Sequence, residues 1–331
     1  MKAIILNGFG DVSNFSLAEI DVPVIKDDEV LIQLKAAAFN PIDYQMRLGL
    51  RESRIMKSPV LGRELSGVIV EIGKNVIGYH VGDEIIAASG SRGSNGSYAE
   101  FMALNSSFIA HKPANISFEA AAAIPSAGLT AWQCFNRMPI ETNSSVFISG
   151  GAGAVGRFLI KLLLINGCTN IVTTAGSEQS INALIALGLK SSQIIDYKKD
   201  NMEQNILNAN NGRGFDFAVE IVGGVLAETA ANVLDINGTY VDVTFLGTEL
   251  TRETLFDKGC VIINIANYAQ AAKNANWYGQ TLNELTDLIR QNKMSPPEIN
   301  RVGDLSVETV RLAHTLMETN QIFGKKLVMS I

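Results

Sequence analysis

Gly151, Gly153 and Gly156 stand at G-x-G-x-x-G spacing within Ser149-Gly150-Gly151-Ala152-Gly153-Ala154-Val155-Gly156. An apolar stretch, residues 145–149, precedes them, and an apolar segment follows. A strand, a glycine turn and a helix in that order give the spacing its chemical meaning. Gly151 permits a tight turn out of the strand, Gly153 lets a pyrophosphate approach the backbone, and Gly156 lets the helix pack closely on the sheet. The helix opening at Ala154 and Val155, together with the backbone at Ala152, then offers unpaired N–H groups to the phosphates of a dinucleotide.

The end of the next strand bears on which dinucleotide. An acid there, about 20 residues beyond the loop, holds the ribose 2′-hydroxyl of NAD. This chain reads Thr173-Thr174-Ala175-Gly176-Ser177 instead. With no carboxylate to repel a 2′-phosphate, NADPH is favoured. NADH stays open, because Glu178 lies one residue further and the loop holds no arginine. Val222-Gly223-Gly224 and Thr244-Phe245-Leu246-Gly247 follow the fourth and fifth strands of the same region. Their place outside the carboxyl ends of the strands puts them beside the ribose and nicotinamide.

These loops need a scaffold. A chain of 331 residues is long enough for two domains. The first 110 or so residues read as short strands and turns, with strands at 29–35, 67–73 and 81–87, which suggests a mostly β domain. Ser117 caps an alanine-rich helix, and from there to residue 265 strands and helices alternate. Strands fall at 145–149, 170–174, 193–196, 215–221, 238–244 and 260–265. Helices fall between them at Ala154–Ile165, Glu178–Leu187, Met202–Ala209 and 225–234. Six such strands predict a doubly wound parallel sheet, so the fold class is α/β. Helices near 282–291 and Val307–Glu318 follow, and a strand at 326–329 returns to the first domain.

Composition excludes several function classes. Hydrophobic residues make up 47% and charged residues 18%, with a net charge of −6 and no long basic run, so neither nucleic acid nor an anionic membrane is an expected partner. No stretch approaches the roughly 20 apolar residues that span a bilayer, and the N-terminal apolar run is too short for a secretory signal. Cys134, Cys168 and Cys260 are too scattered for a disulfide framework or a cysteine-rich metal site, which suits reduced thiols in the cytoplasm. His80, His111 and His314 show no spacing that suggests a metal or a triad.

Further motifs carry a family resemblance. They are Asn40-Pro41-Ile42-Asp43, Leu61-Gly62-Arg63-Glu64-Leu65-Ser66-Gly67, Gly73-Lys74-Asn75-Val76 leading to Val81-Gly82-Asp83, and Gly128-Leu129-Thr130-Ala131. With the glycine loop, they make the chain similar to medium-chain dehydrogenase/reductases over nearly its whole length. The resemblance implies a GroES-like catalytic domain at 1–117, completed by 296–331, and a Rossmann NAD(P)-binding domain at 118–295. Zinc-dependent relatives have a cysteine where this chain has Asn40 and a histidine where it has Arg63, with a third ligand cysteine near Ser126. Asn and Arg are outside the usual zinc ligand set, so no zinc is expected. The chain therefore resembles the zinc-lacking, zeta-crystallin-like quinone oxidoreductases. Those relatives reduce quinones or activated double bonds with NADPH, and the implied partner is a small-molecule quinone or enone.

The resemblance also implies site residues. Asn40 lies in the substrate cleft and donates a hydrogen bond to a quinone or enone oxygen, or else serves as a turn residue before Pro41. Tyr44 lines the pocket as donor or proton source, although relatives place that tyrosine where this chain has Gln45. Thr130 contacts the nicotinamide or packs its helix. Ser177 and Tyr197 flank the 2′-phosphate, with Ser180 where a lysine is common. Asp43 and Glu64 take structural roles, Glu64 pairing with Arg63 or Arg47. A homodimer forms through residues 260–265. A different class also stays open: a nucleotide-binding sensory or structural protein with little turnover.

Overall fold

The computed structural model describes residues 1–322 and 324–331. It divides into two compact units, Met1–Leu129 with Tyr268–Ile331, and Thr130–Asn267.

The first unit is built on a mostly antiparallel seven-stranded sheet. Its order is Ile299–Asp304, Lys326–Ser330, Glu29–Ala38, Glu64–Ile72, Glu84–Ala88 and Ile109–His111, with Phe101–Asn105 also pairing to Glu29–Ala38. The register matters for chemistry, because Ala38 pairs with Val328 on one side and with Glu64 on the other. Asn40, Glu64 and Lys326 therefore converge at one end of the sheet from three distant stretches of sequence. Ala36 and Ala38 are fully buried, and their small side chains pack with Ala122 and Ala123 at the helix Phe118–Ala122. On another face, Ile4, Phe15, Phe39, Tyr98, Val310 and Met329 form a buried apolar cluster.

The second unit is a six-stranded parallel sheet. Its order is Ile194–Asp196, Ile171–Ala175, Val146–Ile148, Phe215–Glu220, Leu234–Asp242 and Val261–Asn264. In chain order this is 3-2-1-4-5-6, the doubly wound arrangement expected of alternating strands and helices. Phe147, Val172, Phe215, Ala218 and Tyr240 fill one side of it. Val261–Asn264 is an edge strand, with Val261 and Ile262 about half exposed.

Several elements differ from the sequence reading. Pro41–Arg47 is a helix that apolar periodicity does not announce. Pro41 supplies a preset φ at its start, and the Asp43 carboxylate accepts the Asn40 N–H at 2.8 Å. Glu249–Asp257 and Asn267–Lys273 are further unexpected helices, and the helix expected near 282–291 is longer, Trp277–Arg290.

The division into units also differs from boundaries at 117/118 and 295/296: residues 118–129 and 268–295 group with the first unit. Helix Trp277–Arg290 lies against the strand Ile109–His111. A Cβ on Gly279 would stand 2.8 Å from the Ser107 carbonyl oxygen, the Tyr278 ring is 5.0 Å from Phe108, and Arg290 Nη2 donates to the His111 carbonyl at 3.1 Å.

Candidate active site

The glycine loop joins Val146–Ile148 to the helix Ala154–Ile165 in the second unit. The residue with positive φ is Gly150, at +66°, so the tight turn belongs to it and not to Gly151. Gly151 is required for another reason: a Cβ there would lie 2.2 Å from Thr173 Oγ1. That hydroxyl accepts the Gly151 N–H at 2.9 Å and donates to the Ile148 carbonyl at 2.6 Å, and Thr174 Oγ1 accepts the Gly150 N–H at 2.9 Å. Gly156 has the tightest helix contact, since its Cβ would meet Gly151 Cα at 2.5 Å. The third glycine thus packs the helix on the loop itself.

The nearest atom to a Cβ on Gly153 is 3.4 Å away. Gly153 occupies the N-cap and has no side chain to bond the first-turn N–H groups. Ala152, Ala154 and Val155 complete a backbone cradle whose open face and partial positive charge suit a pyrophosphate.

Around this loop the expected residues fall into two groups. Ser177 caps Glu178–Leu187, accepting the Ser180 N–H at 3.2 Å and donating to Ser180 Oγ at 2.9 Å. Tyr197 packs over the same turn, for a Cβ on Gly176 would lie 2.3 Å from its ring. Val222, Gly223, Phe245 and Leu246 meet at the carboxyl ends of the fourth and fifth strands. The Gly224 N–H donates to the Leu246 carbonyl at 3.0 Å, and a Cβ on Gly223 would sit 2.6 Å from Leu246 Cβ. Phe245 has φ +58°, a left-handed conformation uncommon outside glycine.

Glu220, which sequence reasoning passed over, organises this second group. Its fully buried carboxylate accepts the Val222 N–H at 2.6 Å, the Gly223 N–H at 2.5 Å and Thr244 Oγ1 at 2.7 Å. Its signal was an acid ending an apolar strand. Thr130 stands apart from both groups, at the start of the unit, where it accepts Asn267 Nδ2 at 3.0 Å.

In the first unit Asn40 is the N-cap residue of Pro41–Arg47, yet its side chain is not spent on the cap. Asn40 Nδ2 donates to Glu64 Oε1 at 2.9 Å, and Asn40 Oδ1 accepts Lys326 Nζ at 2.5 Å. Lys326 also pairs with Glu64 Oε1 at 2.6 Å, and the second Glu64 oxygen accepts the Ser126 N–H at 2.7 Å. The expected pairing of Glu64 with Arg63 or Arg47 is therefore replaced by Lys326. Arg47 bonds Glu318, and Arg63 donates to Ser91 Oγ at 3.0 Å.

All three members of the Asn40–Glu64–Lys326 cluster are buried. An amide with a cation on its oxygen and a carboxylate on its nitrogen has only one sensible orientation. One N–H of Asn40 is left without an acceptor among the described residues, a donor whose desolvation is uncompensated. Tyr44 is half-buried on the same helix, and its hydroxyl has no bonded partner among the described residues.

Beneath this cluster Tyr98 donates to Asp43 Oδ2 at 3.3 Å and stands 3.2 Å from His314 Nε2. Burial raises the Asp43 carboxyl to about 6, partly opposed by the bond from the Asn40 N–H. Burial, with the positive charge of Arg47, lowers His314 to about 3. Burial also lowers the Arg63 guanidinium below its ordinary value. A cavity of about 30 Å³ lies beside Arg63, Ser91 and Met46. The larger cavity, about 660 Å³ beside Tyr79, Arg92 and Phe108, shares no residue with the Asn40 cluster.

Residues 26–114 match the alcohol dehydrogenase GroES-like domain, and residues 189–328 match the zinc-binding dehydrogenase family. A 2-methylene-furan-3-one reductase of Solanum lycopersicum is 30% identical over 336 residues, covering 99% of this chain and 79% of that protein. The chain belongs to the medium-chain dehydrogenase/reductase superfamily. Within that superfamily it falls in the zeta-crystallin-like branch. A quinone oxidoreductase structure from Coxiella burnetii superposes with a TM-score of 0.85 at 28% identity, covering 100% of this chain and 99% of that one. A mitochondrial NAD(P)H oxidoreductase of Dictyostelium discoideum is 36% identical over 235 residues, and the match spans 68% of this chain and 65% of that relative. As a medium-chain reductase, the protein combines a GroES-like unit with a Rossmann unit. Among the described residues no helix is long and apolar enough to cross a membrane.

Proposed function

We propose that this protein is an NADPH-dependent, zinc-independent reductase of quinones or α,β-unsaturated carbonyl compounds. The observation that carries the proposal is the ammonium of Lys326, 2.5 Å from Asn40 Oδ1 and 2.6 Å from Glu64 Oε1. Zinc-dependent members of the superfamily hold their metal where this chain has Asn40 and Arg63. Here a fixed cation already bonds Asn40, and a second cation stands at position 63. Neither an amide nor a guanidinium belongs to the usual zinc ligand set.

When bound, NADPH supplies a hydride to the β-carbon of an enone and becomes NADP⁺, the π electrons moving onto the carbonyl oxygen before a proton adds at the α-carbon. The residues that would hold the dinucleotide are the cradle at Gly151, Ala152, Gly153, Ala154, Val155 and Gly156, with Val222, Gly223, Phe245, Leu246 and Thr130 around the remainder. Ser177 and Tyr197 supply a hydroxyl and an exposed ring for the 2′-phosphate, with no carboxylate side chain on Ala175, Gly176 or Ser177 to repel it. The free N–H of Asn40 is a donor for the oxygen on which charge develops. The unpartnered hydroxyl of Tyr44 offers a second donor or a proton.

A homodimer joined along Val261–Asn264 belongs to the same proposal, supported by exposed apolar side chains on an unpaired edge. So does a cytoplasmic setting, which suits the buried free thiols of Cys134 and Cys168. The test is NADPH oxidation against a panel of quinones and enones, with products identified by mass. Saturable turnover that falls at least about a hundredfold in Asn40→Ala agrees with the proposal. Tight cofactor binding with no turnover of any acceptor contradicts it, and would favour a sensory or structural role.

A further inference from the structure

Arg63 enters the strand Glu64–Ile72 directly before Glu64. Its guanidinium donates to Ser91 Oγ at 3.0 Å and lies 3.9 Å from Met46 Sδ. Among the described residues no carboxylate stands within 4 Å of it. Its chain neighbour Glu64 bonds Lys326, Asn40 and the Ser126 N–H, and Asp43, whose charge acts on Arg63, bonds the Asn40 N–H and Tyr98.

The same side chain borders the cavity of about 30 Å³, with Met46, Met56, Lys57, Ser91 and Asn95 among the other lining residues. The cavity is small and has room for a polar head of a few atoms. No acid lines it.

The surrounding charge has the same sign. Between Gln45 and Glu64 the chain carries Arg47, Arg51, Arg54, Lys57 and Arg63 against Glu52 and Glu64, in a protein whose net charge is −6. Arg47 is neutralised by Glu318 and Arg51 by Glu52. Arg54, Lys57 and Arg63 have no carboxylate within bridging distance among the described residues. Asp43 acts on Arg63 through space from beyond bridging distance, and a partly buried cation whose counter-charge is not in contact is costly. A guanidinium has five N–H donors in a planar fork that matches a carboxylate, and among the described residues only Nη1 of Arg63 is hydrogen-bonded to protein.

We infer that Arg63 is a specificity-determining residue that binds an anionic oxygen group of the acceptor, so that conjugated oxo-acids are preferred over neutral enones. This rests on the reductase reading above. Arg63 supplies the counter-charge for a carboxylate conjugated to the double bond, Ser91 orients the guanidinium, and Met46 and Met56 provide apolar walls. Preference therefore falls in binding, and shows in KM more than in kcat.

The experiment compares 4-oxopent-2-enoate with its methyl ester in the full-length protein, as wild type, Arg63→Gln and Arg63→Lys. A calorimetric titration of the saturated product, 4-oxopentanoate, and of sulfate accompanies the kinetics. Wild type is expected to favour the acid by at least about tenfold in kcat/KM. Arg63→Gln should collapse that ratio toward one, and Arg63→Lys should keep part of it.

Equal kcat/KM for acid and ester in the wild type overturns the inference, as does an Arg63→Gln variant that lowers both equally. Sulfate binding as tight as 4-oxopentanoate, together with an acid-to-ester ratio of one, identifies only a general anion site and also overturns it. If neither compound nor any quinone is reduced, the reductase reading fails. The calorimetry still decides this inference, because wild type must bind 4-oxopentanoate more tightly than Arg63→Gln does.

Discussion

Lys326 Nζ lies 2.5 Å from Asn40 Oδ1, across 286 residues of sequence. The same ammonium pairs with Glu64, so an amide, a carboxylate and a cation interlock in a buried site. Removing one charge of such a pair strands the other. Lys326→Met should therefore destabilise the protein by about 3 kcal/mol or more, while the neutral double variant Lys326→Met with Glu64→Gln should recover most of that loss. Urea denaturation of the three proteins checks the ordering. A double variant no more stable than Lys326→Met would show that the ion pair is not what holds the site.

The glycine loop makes a second, local prediction. A methyl at position 156 would meet Gly151 Cα at 2.5 Å, and backbone cannot swing aside as a side chain can. Gly156→Ala should raise the NADPH dissociation constant by at least about tenfold, through displacement of a cradle built from backbone N–H groups. Fluorescence titration of bound NADPH measures this. An unchanged constant would mean that the phosphates lie elsewhere.

Cofactor choice is testable at Ser177, which sits on the Gly176 turn against which Tyr197 packs. Ser177→Asp places a carboxylate where a 2′-phosphate is proposed to bind. The NADPH-to-NADH affinity ratio should fall by at least about tenfold, from repulsion of the phosphate and from a new acceptor for the ribose hydroxyl. A ratio that does not move argues that the 2′ position faces another surface.

Acid stability follows from His314. Its folded pKa is depressed to about 3 from an ordinary 6.5, so the unfolded chain takes up the proton first. The stability this represents is fully present above pH 6.5 and is lost as pH falls toward 3, at up to about 1.4 kcal/mol per unit. Asp43 acts with the opposite sign. Its folded pKa is raised to about 6 from 3.8, so folding is favoured as pH falls through that window. Stability against pH for wild type minus His314→Gln should therefore decrease on acidification, and wild type minus Asp43→Asn should increase. Parallel curves for wild type and His314→Gln between pH 6.5 and 4 would refute the assignment.

What could be read in the sequence was mostly what is local. The helices Ala154–Ile165, Glu178–Leu187, Met202–Ala209 and Val307–Glu318 lie where the sequence put them, and alternation implied a six-stranded, doubly wound parallel sheet. The glycine motif was legible, but which glycine turns the chain was not, because the clash that requires Gly151 comes from Thr173 on another strand. Asn40 and Glu64 were visible as family marks. Their partner Lys326 was not, since its place beside them depends on the Val328–Ala38 register. The packing of helix Trp277–Arg290 was not legible for a similar reason: Gly279 carries no hint in sequence that it rests on the carbonyls of Ser107 and Ile109. Glu220 read as a strand end, although it anchors two loops.

The most direct test of the account is a single turnover with NADPH deuterated on the transferring face of its nicotinamide, using protein dialysed against a zinc chelator. The account predicts one deuterium on the β-carbon of the reduced enone, delivered at the rate of untreated protein. Product without label, or label transfer that stops on chelation and returns with zinc, would contradict it.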